Sequence, residues 1–287
     1  MTINLKLKII LVSLCLLSSN ACSLNSVTAR ISSFFIEDSI ALLNAENDLL
    51  KVKKQLPINI AQLEKMLRHN NDNKSLHIYA AQAYYGYAFS FVEDNNKKQA
   101  IHLYYKAYKH AISALNYYDI TTEDLKGQTP LLKQKINKLS QNSVDALYWT
   151  AISWAKLIGL QQPEILLFTQ LHKTAILMEQ VIQFDEAYHS GGAYLFFAVY
   201  YGSRPEILGG NDFLSKKYFE RARTLNKNKL LMVDFLQAKY LNGRIHGKEK
   251  YSQRLQNIIN APDDLYPEQA LMNAVAKQKA SYLLKKL

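Results

Sequence analysis

The sequence predicts an all-α protein of stacked helical hairpins. Apolar residues recur at three- and four-residue spacings along most of the chain, and 287 residues contain only 10 Gly and 6 Pro. No run of alternating polar and apolar residues marks a strand. Nearly half the residues are hydrophobic, which excludes a disordered, collagenous or linker-rich chain.

Residues 1–21 read as an export signal. Lys6 and Lys8 precede an apolar run from Ile9 to Leu17, and Ser18, Ser19, Asn20 and Ala21 lead to Cys22. The run is shorter than the roughly 20 apolar residues that a membrane-spanning helix needs. Two processing routes fit. An ordinary signal peptidase can cut before Cys22, or Cys22 ends a bacterial lipobox and is lipidated, with Ser19 in place of the usual aliphatic residue. Residues 22–287 are then expected to form one helical repeat domain with a flexible N-terminal tether at about 22–36. Loss of Lys6 and Lys8 leaves about +9 of the formal +11, and outside the cytoplasm that charge suits envelope surfaces or solvated faces rather than nucleic acid. Both cysteines, Cys15 and Cys22, are N-terminal, so the body is expected to hold neither a disulfide framework nor a cysteine zinc site.

The first helices are expected at about 39–55 and 58–69. Leu76, Tyr79, Ala80, Ala83, Tyr84, Tyr87, Ala88 and Phe91 then follow a three-four alternation on one helical face. Ala100, Leu103, Tyr104, Ala107, Tyr108, Ala111 and Leu115 repeat it, and the polar turn Asp94, Asn95 and Asn96 folds the pair into an antiparallel hairpin. Further helices are expected at 144–159, 164–184, 188–201, 212–225, 229–242, 247–259 and 267–286, with loops near 117–143 and 202–212. Pro57, Pro163 and Pro267 stand where helices should begin.

The hairpins carry a repeat signature. Tyr84, Tyr87, Ala88 and Phe91, followed by Ala100, Tyr104 and Ala107, occupy the offsets of a tetratricopeptide repeat. Ser215, Phe219 and Ala222 reproduce the second-helix pattern, in which a small residue admits a neighbouring backbone and an aromatic fills the space one turn on. The two copies are not separated by a clean multiple of ~34 residues, so the expected fold is a degenerate tetratricopeptide-like helical-hairpin solenoid.

Motifs for catalysis, metals and cofactors are absent. The sequence has no HExxH, GxxxxGK[ST], GxGxxG or GxSxG pattern, so no catalytic residue, metal or cofactor is expected. Two glycine pairs stand out instead. Gly191 and Gly192 follow Tyr188 and His189 and precede Tyr194 and Phe196, while Gly209 and Gly210 follow Arg204 to Leu208. Close helix approach and a tight turn with positive φ account for them structurally. The functional alternative is a ligand cavity lined by His189 and its aromatic neighbours. The helix from Asp145 to Gly159 is apolar nearly all round and holds Tyr148 and both tryptophans, Trp149 and Trp154, as either central packing or the wall of an apolar ligand channel.

Ala146, Leu147, Tyr148, Trp149, Ala151 and Trp154, then Tyr188, His189, Gly191 and Gly192, then Leu208, Gly209, Gly210 and Lys216 through Phe219 to Ala222, form a familiar series. Pro267, Glu268, Leu271, Asn273, Ala274, Ala276, Leu283 and Leu284 continue it in the last helix, and Asp48, Leu49, Val52, Pro57 and Ala80 to Tyr84 fit at the start. Over nearly the whole mature chain the sequence resembles the T-component (TatT) family of TRAP transporters, which are tetratricopeptide-like periplasmic lipoproteins. Ala193 and Lys156 depart from the family pattern, where a Pro or other small residue and a Gly are usual. The resemblance implies a non-enzymatic accessory protein that binds the periplasmic solute-receptor (P) component, forms a homo-oligomer such as a trimer, and conducts or holds an apolar organic solute. It also implies membrane attachment through a lipid on Cys22. A general envelope scaffold lipoprotein of assembly or pilotin-like type is the second reading.

Overall fold

The computed structural model describes residues 36–161, 170–242 and 247–287. Cys22, the expected leader and Pro163 lie outside the described residues, as does all of the expected tether except residue 36. Residues 36–44 are helical, and 44–287 form the compact unit that carries the site. Among the described residues every regular element is helical, which agrees with the all-α expectation.

In chain order the main helices are α1 (Leu49–His69), α2 (Lys74–Tyr87), α3 (Lys97–Asn116), α4 (Thr122–Lys126), α5 (Thr129–Ile136) and α6 (Val144–Gln161). They continue with α7 (Leu171–Phe184), α8 (Tyr188–Gly202), α9 (Asp212–Leu225), α10 (Leu231–Gln237), α11 (Gly247–Ile259) and α12 (Ala270–Leu284). Packing runs largely from neighbour to neighbour: α1 on α2, α2 on α3, α3 on α6, α6 on α7, α7 on α8, and α8 on α9. α10 and α11 then pack on α12.

Pro57 does not begin a helix. It lies inside α1, whose buried stripe of Val52, Leu56, Ile60, Leu63 and Leu67 passes through it. Burial of that stripe outweighs the amide bond that proline cannot donate. The chain breaks instead at 45–48, where the Asp48 carboxylate accepts from the Leu50 and Lys51 amides.

The expected loop at 117–143 also contains helix. Thr121 and Asp124 form a reciprocal capping box that starts α4, and Pro130 lies in the first turn of α5. Leu125, Leu132 and Ile136 anchor these short helices in the core. Lys173 on α7 donates to the Leu125 and Gly127 carbonyls at 2.8 and 2.6 Å, which satisfies the C-terminal end of α4.

The hairpin from α2 to α3 turns as expected, with one difference. α2 ends in a π turn, Ala88–Val92, and Asn96 then caps α3 by accepting from the Gln99 amide at 3.0 Å. Asn96→Ala should cost about 1 kcal/mol, read as a lower denaturant midpoint, and an unchanged midpoint would show the cap to be idle. The small-plus-aromatic pattern packs as its spacing requires. Ala100, Tyr104 and Ala107 are fully buried, and so are Phe219 and Ala222. Between α8 and α9 the backbones approach closely. Ser215 Oγ donates to the Ala198 carbonyl at 2.8 Å, and a Cβ added at Gly202 would meet Ser215.

The last helix returns to the first hairpin. Lys279 on α12 reaches Glu93 at 2.9 Å and Asp94 at 2.6 Å, and Gln278 donates to the Ser90 carbonyl. Lys156 on α6 reaches Glu93 at 2.7 Å, and Tyr104 donates to the same carboxylate at 2.5 Å. Both ammonium groups lie over the Phe89 ring, at 4.8 Å for Lys156 and 4.4 Å for Lys279. Burial works against the charge on Glu93, but the two lysines and these hydrogen bonds outweigh it and hold its pKa at about 2. This buried cluster joins helices that are 186 residues apart in sequence. Asn273, also on α12, accepts from the Leu231 amide at 2.8 Å and donates to the Lys229 carbonyl at 3.0 Å, fixing the start of α10.

Candidate functional site

α6 is central because nearly all of its faces are covered. Ala146, Leu147, Tyr148, Trp149, Ala151, Trp154, Leu157 and Ile158 are all buried. Tyr148 and Trp149 project from its first half toward the start of α8. There the chain does something that helical periodicity does not anticipate. His189 (φ 47°), Ser190 (φ 56°) and Gly191 (φ 80°) are consecutive left-handed residues at the head of an otherwise right-handed helix. Each non-glycine residue in that region costs roughly 1–2 kcal/mol. The turn is held at its base by Asp185, whose carboxylate accepts from the Ala187 amide at 3.0 Å, and by the Gly191 amide donating to the Ala187 carbonyl at 3.2 Å.

The left-handed turn swings two rings onto α6. The His189 imidazole stacks on Tyr148 with centroids 5.3 Å apart and planes 13° from parallel. Trp149 and Tyr188 stand close to perpendicular to it, with centroids 5.1 and 4.6 Å away. Tyr148 contacts Trp149 at 5.2 Å and Tyr188 at 5.1 Å, so the four rings form one cluster. The glycine pair makes room for it. A Cβ at Gly192 would stand 2.5 Å from the Tyr148 hydroxyl, and one at Gly191 would press on Leu225 and Ala222 of α9.

Polar groups rim the cluster. Tyr188 donates a short hydrogen bond to Asp145, in the first turn of α6. Burial, and then the Asp145 charge, raise the Tyr188 pKa, and burial raises that of Tyr148, so both phenols keep their protons at neutral pH. His189 is an exposed residue, yet desolvation by the rings around it disfavours the imidazolium and lowers its pKa against the opposing pull of Asp145. The buried Trp149 Nε1 lies beside the Tyr188 phenol without the alignment of a hydrogen bond. A cleft of about 320 Å³ opens alongside, lined by Lys74, Asn142, Asp145, Asp185 and Tyr188 among others.

The other candidate residues lie elsewhere. Trp154 packs against Tyr108 at 5.9 Å, in the core between α3 and α6. Phe196 packs on Phe197 and Tyr200 within α8. Tyr194 lies beside Tyr218 and donates to Glu186, which also pairs with Arg221 at 2.6 Å. Gly209 supplies the positive φ (81°) that closes the 206–208 turn. Gly210 does not need positive φ; it is required because a Cβ there would strike the Arg204 carbonyl.

Sequence reasoning gave no role to Asp145, Asp185 or Lys74. Asp145 was findable, because it stands three and four residues before Tyr148 and Trp149 and therefore shares their helical face. Asp185 and Lys74 come from other elements and carry no local signal. Among the described residues, no three His, Cys, Asp or Glu side chains converge as a metal site, and no helix is long and apolar enough to cross a membrane. No curated protein matches the chain. The model of the TRAP transporter T-component family matches residues 45–287, almost the whole compact unit, and the chain belongs to that family of transporter components.

Proposed function

We propose that the chain is exported and serves a TRAP transporter by docking with its periplasmic solute receptor and holding an apolar organic solute beside the Tyr148–Trp149–Tyr188–His189 cluster. The family match over 45–287 carries the accessory role. The ring cluster supports the solute-holding part, since apolar ligand sites are aromatic-lined, and the polar cleft beside it would meet the polar groups of such a solute. Trp154, Tyr194 and Phe196, which pack on other neighbours, are assigned no part in holding it. A lipid on Cys22 would keep the protein at the membrane, and assembly into a homo-oligomer such as a trimer would multiply receptor contacts. No turnover of its own is assigned to it.

The test is direct binding. Purified mature chain and the solute receptor encoded beside it are expected to co-elute in size-exclusion chromatography and to give a saturable calorimetric isotherm. Separate elution with no heat, whether or not solute is present, would overturn receptor docking.

A further inference from the structure

We propose that His189 is a built-in plug: its imidazole occupies the place of a planar aromatic or heteroaromatic ring of the solute, and the left-handed turn at 189–191 is the strained latch that holds it there. This deepens the reading that the ring cluster is where solute is held, and rests on it.

Backbone strain is the first support. Two non-glycine residues in succession adopt a conformation suited to glycine, and the result is that one ring is delivered into the cluster. The second support is the receptor-like form of what surrounds the ring. His189 stacks on Tyr148, and Trp149 and Tyr188 stand nearly perpendicular to it. That is how a planar guest is held, with one stacked contact and two near-perpendicular ones.

The third support is unused polarity. Trp149 is 94% buried, and its indole N–H, beside the Tyr188 phenol, lacks a well-aligned hydrogen bond that a guest's acceptor atom could supply. Asp145 lies near enough to act on His189 and already accepts the Tyr188 hydroxyl proton in a hydrogen bond. Access is the fourth support. The cleft beside the cluster is lined by Tyr188 and Asp145, and His189 is an exposed residue, so its side chain can leave toward solvent without passing through the core. The guest class follows: a flat ring between imidazole and indole in size, with a ring N–H or acceptor at its rim.

His189→Gly in the otherwise intact chain removes the plug and suits the left-handed backbone, so the fold should survive. Calorimetric titration with imidazole should then show binding at least tenfold tighter than to the wild type, where His189 must first leave. Equal affinity, or no binding to either, would overturn the plug. A measurement on the wild type is independent of any variant. In NMR with labelled histidine, the His189 ring protons should be shifted by stacking on Tyr148, and adding indole should move them to ordinary positions. His189 resonances unmoved at saturating indole would likewise overturn it. The two readings fail separately. Ring binding without any effect of the chain on transport would sink the transport reading alone, whereas transport dependence without ring binding would sink the plug alone.

Discussion

Glu93→Ala is expected to destabilise the folded chain by about 3 kcal/mol, because it removes a buried carboxylate and leaves the half-buried Lys156 ammonium without its partner. Lys156 has Glu93 as its ion-pair partner, whereas Lys279 retains Asp94 at 2.6 Å. The loss should appear as a fall in Tm on the order of 10 °C for a chain of this size. A second comparison separates the lost pair from lost packing. Glu93→Leu combined with Lys156→Met removes both charges, and most of the stability should return because apolar groups of similar volume replace a buried pair at little net cost. The pH dependence follows from the sign of the shift. The Glu93 pKa is depressed from 4.5 to about 2, so its contribution is complete above the unfolded value and is lost as pH falls from 4.5 toward 2. The wild type should therefore lose more stability than Glu93→Ala over that interval, measured by urea midpoints. Parallel curves would contradict the clasp.

Gly192→Ala is the second large effect. The added methyl would stand 2.5 Å from the Tyr148 hydroxyl and 3.0 Å from its ring carbons. Tyr148 cannot swing aside freely, since Trp149, Tyr188 and His189 surround it. Either the ring cluster opens or α8 moves off α6, at a cost of about 1–3 kcal/mol for overpacking. Near-ultraviolet circular dichroism should show altered tyrosine and tryptophan signals even where the helical content is unchanged. An unperturbed spectrum with native Tm would mean that the cluster is looser than its ring distances indicate.

Much of the fold is legible in the sequence because helix packing leaves a local trace. Ser215, Phe219 and Ala222 declare their face through spacing alone, and α9 ends where the expected span does, at 212 and 225. Thr121 with Asp124, and Pro130, announce short helices in a stretch expected to be loop. Pro57 shows the opposite case, in which a long buried stripe overrides a local breaker. The site is less legible. Tyr148 and Trp149 meet Tyr188 and His189 across some forty residues, and the left-handed turn that joins them runs against the backbone preferences of His189 and Ser190. Trp154, Tyr194 and Phe196 share the composition of the cluster but point to other neighbours, which periodicity could not sort. The Glu93–Lys279 contact is formed by tertiary closure alone and leaves no mark in either segment.

Solute uptake by cells that lack this chain, with receptor and membrane subunits intact, tests the transporter role most directly. Uptake of the transporter's own solute should fall, return with the wild-type chain, and return incompletely with Gly192→Ala expressed at equal level. Undiminished uptake in cells without the chain would contradict it.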